Sequence, residues 1–178
     1  INIPNTLSIF RILLVPVFLF LIVKDRFSHA LAVFAVAGLT DAVDGFVARA
    51  FNQKTEFGAN IDPVADKLLL VSAYVALTVK GIIPSWLCVP VILRDVVIVS
   101  GVLIFRGAGR KVVIRPTIAG KLTTFLQIST VIYAMAFAGG TGGFFTALII
   151  VTAAITVYTG FDYALREIRI QRGDEGGG

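Results

Sequence analysis

The chain has 178 residues, of which 57% are hydrophobic and 15% charged, with a mean hydropathy of +0.90 and a formal net charge of +5. That composition is too apolar for an ordinary soluble domain and fits several membrane spans. The basic balance does not indicate nucleic-acid binding, because the cations are spread over segment ends with no basic stripe; attraction to anionic headgroups accounts for them.

Six apolar runs, near residues 5–23, 29–50, 60–79, 83–105, 118–138 and 142–164, each approach the roughly 20 residues that a spanning helix needs. The expected fold is all-α, an integral membrane bundle of six transmembrane helices. The connections leave no room for a second domain, so residues 1–178 read as one membrane domain with a disordered tail at 173–178.

In the lead-in, Asn5 can cap the first helix, and Arg11 sits one to two turns inside it, either snorkelling to headgroups or serving a ligand. Lys24, Asp25 and Arg26 follow the first run where a signal peptide would carry the small residues of a cleavage site, so the run reads as a span. His29, the only histidine, opens the second run and reads as structural or interfacial. A short polar link at 51–57 leads to the third run, where Pro63 suits the first turn of a helix. If Asp62 is the N-cap, it lies at the helix mouth with Asp66 a turn deeper; a start near Gly58 puts both inside. Arg94 and Asp95 interrupt the fourth run, and such a pair usually faces a bundle interior. Residues 106–121 form the longest polar stretch, a cation-rich loop or broken helix. Cys88 is the only cysteine, which rules out an intrachain disulfide.

The cations also orient the bundle. Three of the sixteen Lys and Arg residues, Lys24, Arg26 and Lys80, fall on one side; Arg94 lies inside the fourth run; the other twelve fall on the side of the termini. The positive-inside rule then places both termini in the cytoplasm. A compact chain without a transit peptide leans toward a bacterial cytoplasmic membrane over a mitochondrial inner one.

The second and third runs meet in an acidic window, DAVDGFVARAFNQKTEFGANIDPVAD, holding Asp41, Asp44, Asp62 and Asp66. A charged side chain at a helix centre in the bilayer costs about 2.5–3.5 kcal/mol on insertion scales, so four are not kept without a task. Asp41 and Asp44 share one helix face, as do Asp62 and Asp66. Antiparallel helices joined by a short link would bring the pairs together, and oxygen-only donors suit Mg²⁺ or Mn²⁺, one ion or two. Gly45 and Gly58 would admit a phosphate near the backbone or allow close helix packing. Arg49 suits a phosphate through bidentate hydrogen bonds, or a salt bridge to a motif aspartate.

The spacing Asp41-x-x-Asp44-Gly45-x-x-Ala48-Arg49, then eight residues, then Gly58-x-x-x-Asp62-x-x-x-Asp66, resembles the full signature of the CDP-alcohol phosphotransferase family. The resemblance implies that an alcohol attacks the phosphorus of a CDP-linked lipid and CMP leaves. By the same resemblance, Asp41, Asp44, Asp62 and Asp66 bind two divalent cations, and Asp66 is also the base. Asn5, Gly45, Ala48, Arg49 and Gly58 would line the CDP and diphosphate side. A homodimer is implied as well.

The donor expected is CDP-diacylglycerol. Stretches such as NIPNTLSIFRILLVPV, ILRDVVIVSGV and RPTIAGKLTTFLQ resemble the cardiolipin synthases of this family, which use phosphatidylglycerol as acceptor. The alternative acceptor is glycerol 3-phosphate, used by the phosphatidylglycerophosphate synthases, which typically carry Arg-Glu where this chain has Arg94-Asp95. Either acceptor carries a phosphate, for which Arg94, Arg115 and Lys121 are candidates; an internal salt bridge is the competing role for Arg94, and loop charge for the other two. A proton or cation transporter is the reading from another class, but it would not need Gly45, Ala48, Arg49 and Gly58 at these spacings.

Overall fold

A computed structural model describes the backbone of residues 3–50, 56–107, 117–137 and 142–175, and the side chains of 9–40, 67–100, 117–137 and 142–165. The described residues form six helices and no strand: α1 (Ile3–Val23), α2 (Phe27–Ala50), α3 (Glu56–Val79), α4 (Ser85–Gly107), α5 (Ile118–Ala136) and α6 (Gly143–Glu175).

Three boundaries differ from expectation. α1 starts at Ile3, so Asn5 lies inside its first turn and does not cap it. α3 starts at Glu56, ahead of Gly58, so Asp62 and Asp66 both lie within the helix and Pro63 is past the first turn. Of the two starts left open, this agrees with the one near Gly58; a proline removes one ladder bond and can bend a helix without ending it, so Pro63 is carried inside. α6 runs to Glu175, beyond 164 and through the first three residues of the expected disordered tail.

The chain divides into two compact units, Ile1–Pro84 with Val131–Gly140, and Ser85–Thr130 with Thr141–Gly178. In the first, α1 packs against both α2 and α3. Its buried residues recur at helical spacing: Val15, Phe18 and Ile22 on α1, Ala30, Phe34 and Ala37 on α2, and Leu70, Ala73, Tyr74 and Leu77 on α3. The Phe18 and Phe34 rings meet at 6.0 Å and 45°, joining α1 to α2. Arg11 continues the α1 stripe one turn before Val15 and is 2% exposed, so it does not snorkel to headgroups.

Two matching caps close this unit at one end. After α1, Arg26 N–H donates to the Leu21 carbonyl (2.9 Å) and Asp25 N–H to that of Ile22 (3.0 Å), with Asp25 at φ 57°. After α3, Ile82 N–H donates to Leu77 (2.9 Å) and Gly81 N–H to Thr78 (2.9 Å), with Gly81 at φ 73°. Both are Schellman motifs, which need a left-handed residue past the helix end. The caps are tied together, because Lys80 Nζ donates to the Val23 carbonyl (3.0 Å) and to Asp25 Oδ1 (2.6 Å). A Cβ at Gly81 would meet nothing within 4 Å. Gly81→Ala is therefore expected to cost only the left-handed penalty, about 1–2 kcal/mol. Gly38→Ala, within α2 and equally open, should instead stabilise by about 0.5–1 kcal/mol. Thermal unfolding of both variants in detergent checks the opposite signs.

The second unit buries polar groups and exposes apolar ones. α4 packs on α6, while α5 and α6 are joined by side-chain hydrogen bonds at three successive levels: Thr123 with Thr159 (3.2 Å), Gln127 with Thr156 (3.3 Å) and Thr130 with Thr152 (3.0 Å). Each of these six residues is at most 1% exposed, whereas Phe125, Ile150, Val151 and Phe161 are more than half exposed. Threonine hydroxyls also return to carbonyls on their own helices, as Thr123 does to Ala119 (2.8 Å). Polar contact between helices with an apolar exterior is how helices associate where lipid replaces water. Among the described residues, Ile118–Ala136 and Gly143–Leu165 are long and apolar enough to cross a membrane; Ile9–Val23, Phe27–Thr40 and Lys67–Val79 are shorter apolar stretches.

Candidate active site

Backbone geometry sets the heights of the four aspartates. The tight turn at 24–26 makes α1 and α2 antiparallel, and the Lys80 bonds bring the end of α3 to that same turn. Heights can therefore be measured from that end at about 1.5 Å per residue. Asp41 lies fourteen residues after Phe27 and Asp66 thirteen before Val79, placing them at about 21 and 20 Å. Asp44 and Asp62 are each seventeen residues from their reference ends, at about 26 Å. The aspartates thus form two levels, each with one contribution from α2 and one from α3. Their side chains lie outside the described residues.

The other motif positions share this end. Asn5 on α1 and Gly45 on α2 are both eighteen residues away, at about 27 Å; Ala48, Arg49 and Gly58 are farther along α2 and α3. Arg11 is twelve residues before Val23, at about 18 Å, just below the lower aspartate level and buried. The donor set fits hard divalent cations: four carboxylates at two matched levels supply oxygen ligands only. Brought close together, four like charges would repel without such a counter-charge.

The second unit holds the other candidates. Arg94 is 5% exposed and Asp95 2%. Arg94 Nη1 donates to Asp95 Oδ1 at 2.8 Å, which gives Arg94 the internal salt bridge weighed against a phosphate role. Nη2 reaches the Gly120 carbonyl at 3.4 Å, and the guanidinium lies 6.0 Å from the centre of the Tyr163 ring. Arg94 Nε is buried without a hydrogen-bond partner among the described residues. Lys121, adjacent to Gly120 in the first turn of α5, is exposed. Arg115 lies outside the described residues.

Tyr163 was not singled out by the sequence, because its relevance depends on packing across more than forty residues. A Cβ at Gly120 would come within 2.8 Å of its hydroxyl and 3.2 Å of Thr117 Oγ1, so Gly120 is a place of close approach. Gly120→Ala is expected to cost about 1–3 kcal/mol by overpacking. Adding Tyr163→Phe, which removes the nearest atom, should recover most of that loss in a double-mutant cycle read by thermal unfolding.

The family model described as CDP-alcohol phosphatidyltransferase matches residues 1–158. A "Probable phosphatidylglycerophosphate synthase" of Mycobacterium tuberculosis (strain CDC 1551 / Oshkosh) is 37% identical over 178 residues, covering 94% of this chain and 82% of its own. A "Cardiolipin synthase (CMP-forming)" of Homo sapiens is 47% identical over 106 residues, covering 59% of this chain and 35% of its own. A "CDP-diacylglycerol--glycerol-3-phosphate 3-phosphatidyltransferase" of Bacillus subtilis (strain 168) is 32% identical over 145 residues, 73% of this chain and 74% of its own.

Proposed function

The chain belongs to the CDP-alcohol phosphatidyltransferase family and is an enzyme of that class, and from that premise we propose that it transfers a phosphatidyl group from CDP-diacylglycerol to phosphatidylglycerol, giving cardiolipin and CMP. The observation that supports the reading is that Asp41 and Asp66 stand at one height on α2 and α3, and Asp44 and Asp62 at a second.

Asp41, Asp44, Asp62 and Asp66 would hold two divalent cations, Mg²⁺ or Mn²⁺. When bound, such ions neutralise diphosphate charge and polarise its phosphorus–oxygen bonds. Asn5, Gly45, Ala48, Arg49 and Gly58 receive the nucleotide and diphosphate, Arg49 as the cation among them. Asp66 takes the proton of the acceptor hydroxyl as its oxygen bonds to the phosphatidyl phosphorus, and the bond from that phosphorus to the CMP oxygen breaks. No covalent intermediate on the protein is needed.

Lys121, with Arg115, receives the acceptor's phosphate. The exposure of Lys121 supports this role. Arg94 serves the same pocket by holding the carbonyl of Gly120, one residue earlier. The six helices span a membrane as a homodimer, with both termini and the aspartate end at the cytoplasmic face of a bacterial membrane. The buried threonine contacts and exposed phenylalanines of the second unit support the lipid setting.

Glycerol 3-phosphate is the second acceptor, favoured by the extent of the Mycobacterium tuberculosis match. Purified protein with CDP-diacylglycerol and Mg²⁺ or Mn²⁺ should be offered each acceptor separately. Cardiolipin and CMP from phosphatidylglycerol alone is the expected result. Phosphatidylglycerophosphate from glycerol 3-phosphate alone would overturn the acceptor and leave the chemistry intact.

A further inference from the structure

The capped end of the first unit, far from the aspartates, has a feature that the transfer reaction does not use. A pocket of about 430 Å³ is lined by Phe20, Leu21, Lys24, Arg26 and His29. We propose that it binds the headgroup phosphate of an anionic phospholipid, with the lipid's hydrocarbon against Phe20 and Leu21. The inference rests on reading these helices as membrane-spanning.

The charge balance at this end favours an anion. Asp25 is the one carboxylate in the turn, and Lys80 takes it at 2.6 Å. Lys24 and Arg26 have no carboxylate partner among the described residues, so two positive charges face the pocket uncompensated. They run against the general distribution, since only Lys24, Arg26 and Lys80 lie on this side of the chain. His29 adds a ring N–H at the same rim.

The shape of the pocket favours a lipid. The Lys24 ammonium lies 5.8 Å from the centre of the Phe20 ring, so cation and apolar wall are held together. Phe20 is 59% exposed, and the pocket is therefore continuous with the apolar outer surface of α1. A soluble anion would use only the cations; a phospholipid uses both parts. The volume lies within the usual range for a small-ligand site. Asp41 stands about 21 Å away along α2, so a lipid headgroup here cannot reach the proposed reacting centre.

The test uses the purified full chain in a maltoside detergent with chelator present, so that cations do not bridge lipid to the aspartates. Unfolding midpoints are read with phosphatidic acid, phosphatidylcholine or inorganic phosphate added. Phosphatidic acid carries the phosphate and chains but no alcohol for transfer. It should raise the midpoint by several degrees, while the other two leave it unchanged. Lys24→Ala with Arg26→Ala should lose at least half of that shift, Lys24→Arg with Arg26→Lys should retain it, and Asp66→Asn should retain it. The Ala pair should also keep CMP release. An equal shift in the Ala pair, a full shift with inorganic phosphate or phosphatidylcholine, or loss of the shift in Asp66→Asn would each overturn the proposal. Absence of CMP release in the wild-type protein would sink the transferase reading alone, because the midpoint comparison does not depend on turnover.

Discussion

Asp66→Asn is expected to lower CMP release from CDP-diacylglycerol by about 10²–10⁴-fold, the range for loss of a positioned general base, and further if metal binding is lost with it. Asparagine keeps the shape of the side chain but cannot accept the hydroxyl proton and carries no charge. Asp66 lies in the interior of α3, not at its cap, so the substitution leaves the helix start intact. Removing one of four like charges should leave the unfolding midpoint in chelator unchanged or raised. Asp41, at the same height on α2, should behave alike when changed to Asn. Quantified CMP from purified variants, with midpoints measured in parallel, separates lost chemistry from lost fold. Wild-type turnover in either variant would contradict the roles given to these carboxylates.

Arg94→Met should produce the largest loss of stability. Removing one partner of a buried ion pair typically costs about 3–5 kcal/mol, because the remaining charge stays buried after that partner is lost. Arg94 and Asp95 are both at most 5% exposed and 2.8 Å apart, so the case applies here. The substitution also removes the bond to the Gly120 carbonyl and the contact with the Tyr163 ring. Adding Asp95→Leu removes the carboxylate that Arg94 balanced, so the double variant should regain part of the lost midpoint while the bond to α5 stays broken. CMP release in that double variant is informative. A raised KM for the acceptor at near-normal stability is the result expected of a positioning residue. An unchanged KM would limit Arg94 to a structural part.

The sequence made the six helices legible because each apolar run is long and its interruptions are polar or glycine-rich. The ends were less legible. Pro63 and Asp62 left two starts open for α3, and it begins at Glu56, close to the one near Gly58, because one proline bends a helix more readily than it ends it. Asn5 looked like a cap, yet α1 takes it into its first turn. The heights of Asp41, Asp44, Asp62 and Asp66 follow from the spacing only once the caps at Asp25 and Gly81 are known to stand together, and the Lys80 bonds that join them are long-range. The threonine contacts between α5 and α6 were not legible at all. Thr123, Thr130, Thr152 and Thr159 look like unremarkable polar residues in apolar runs until the facing helix supplies their partners. Arg94 was legible as a residue of the interior, but its second and third contacts, Gly120 and Tyr163, depend on packing between helices distant in sequence.

The proposed transfer of phosphatidyl groups from CDP-diacylglycerol depends on cations held by four aspartates. The most direct measurement is CMP release by the purified wild-type protein with CDP-diacylglycerol and acceptor, after chelation and again after Mg²⁺ or Mn²⁺ is restored. Release is expected to stop with chelator and to return with the cation. Release that continues undiminished in chelator would contradict it.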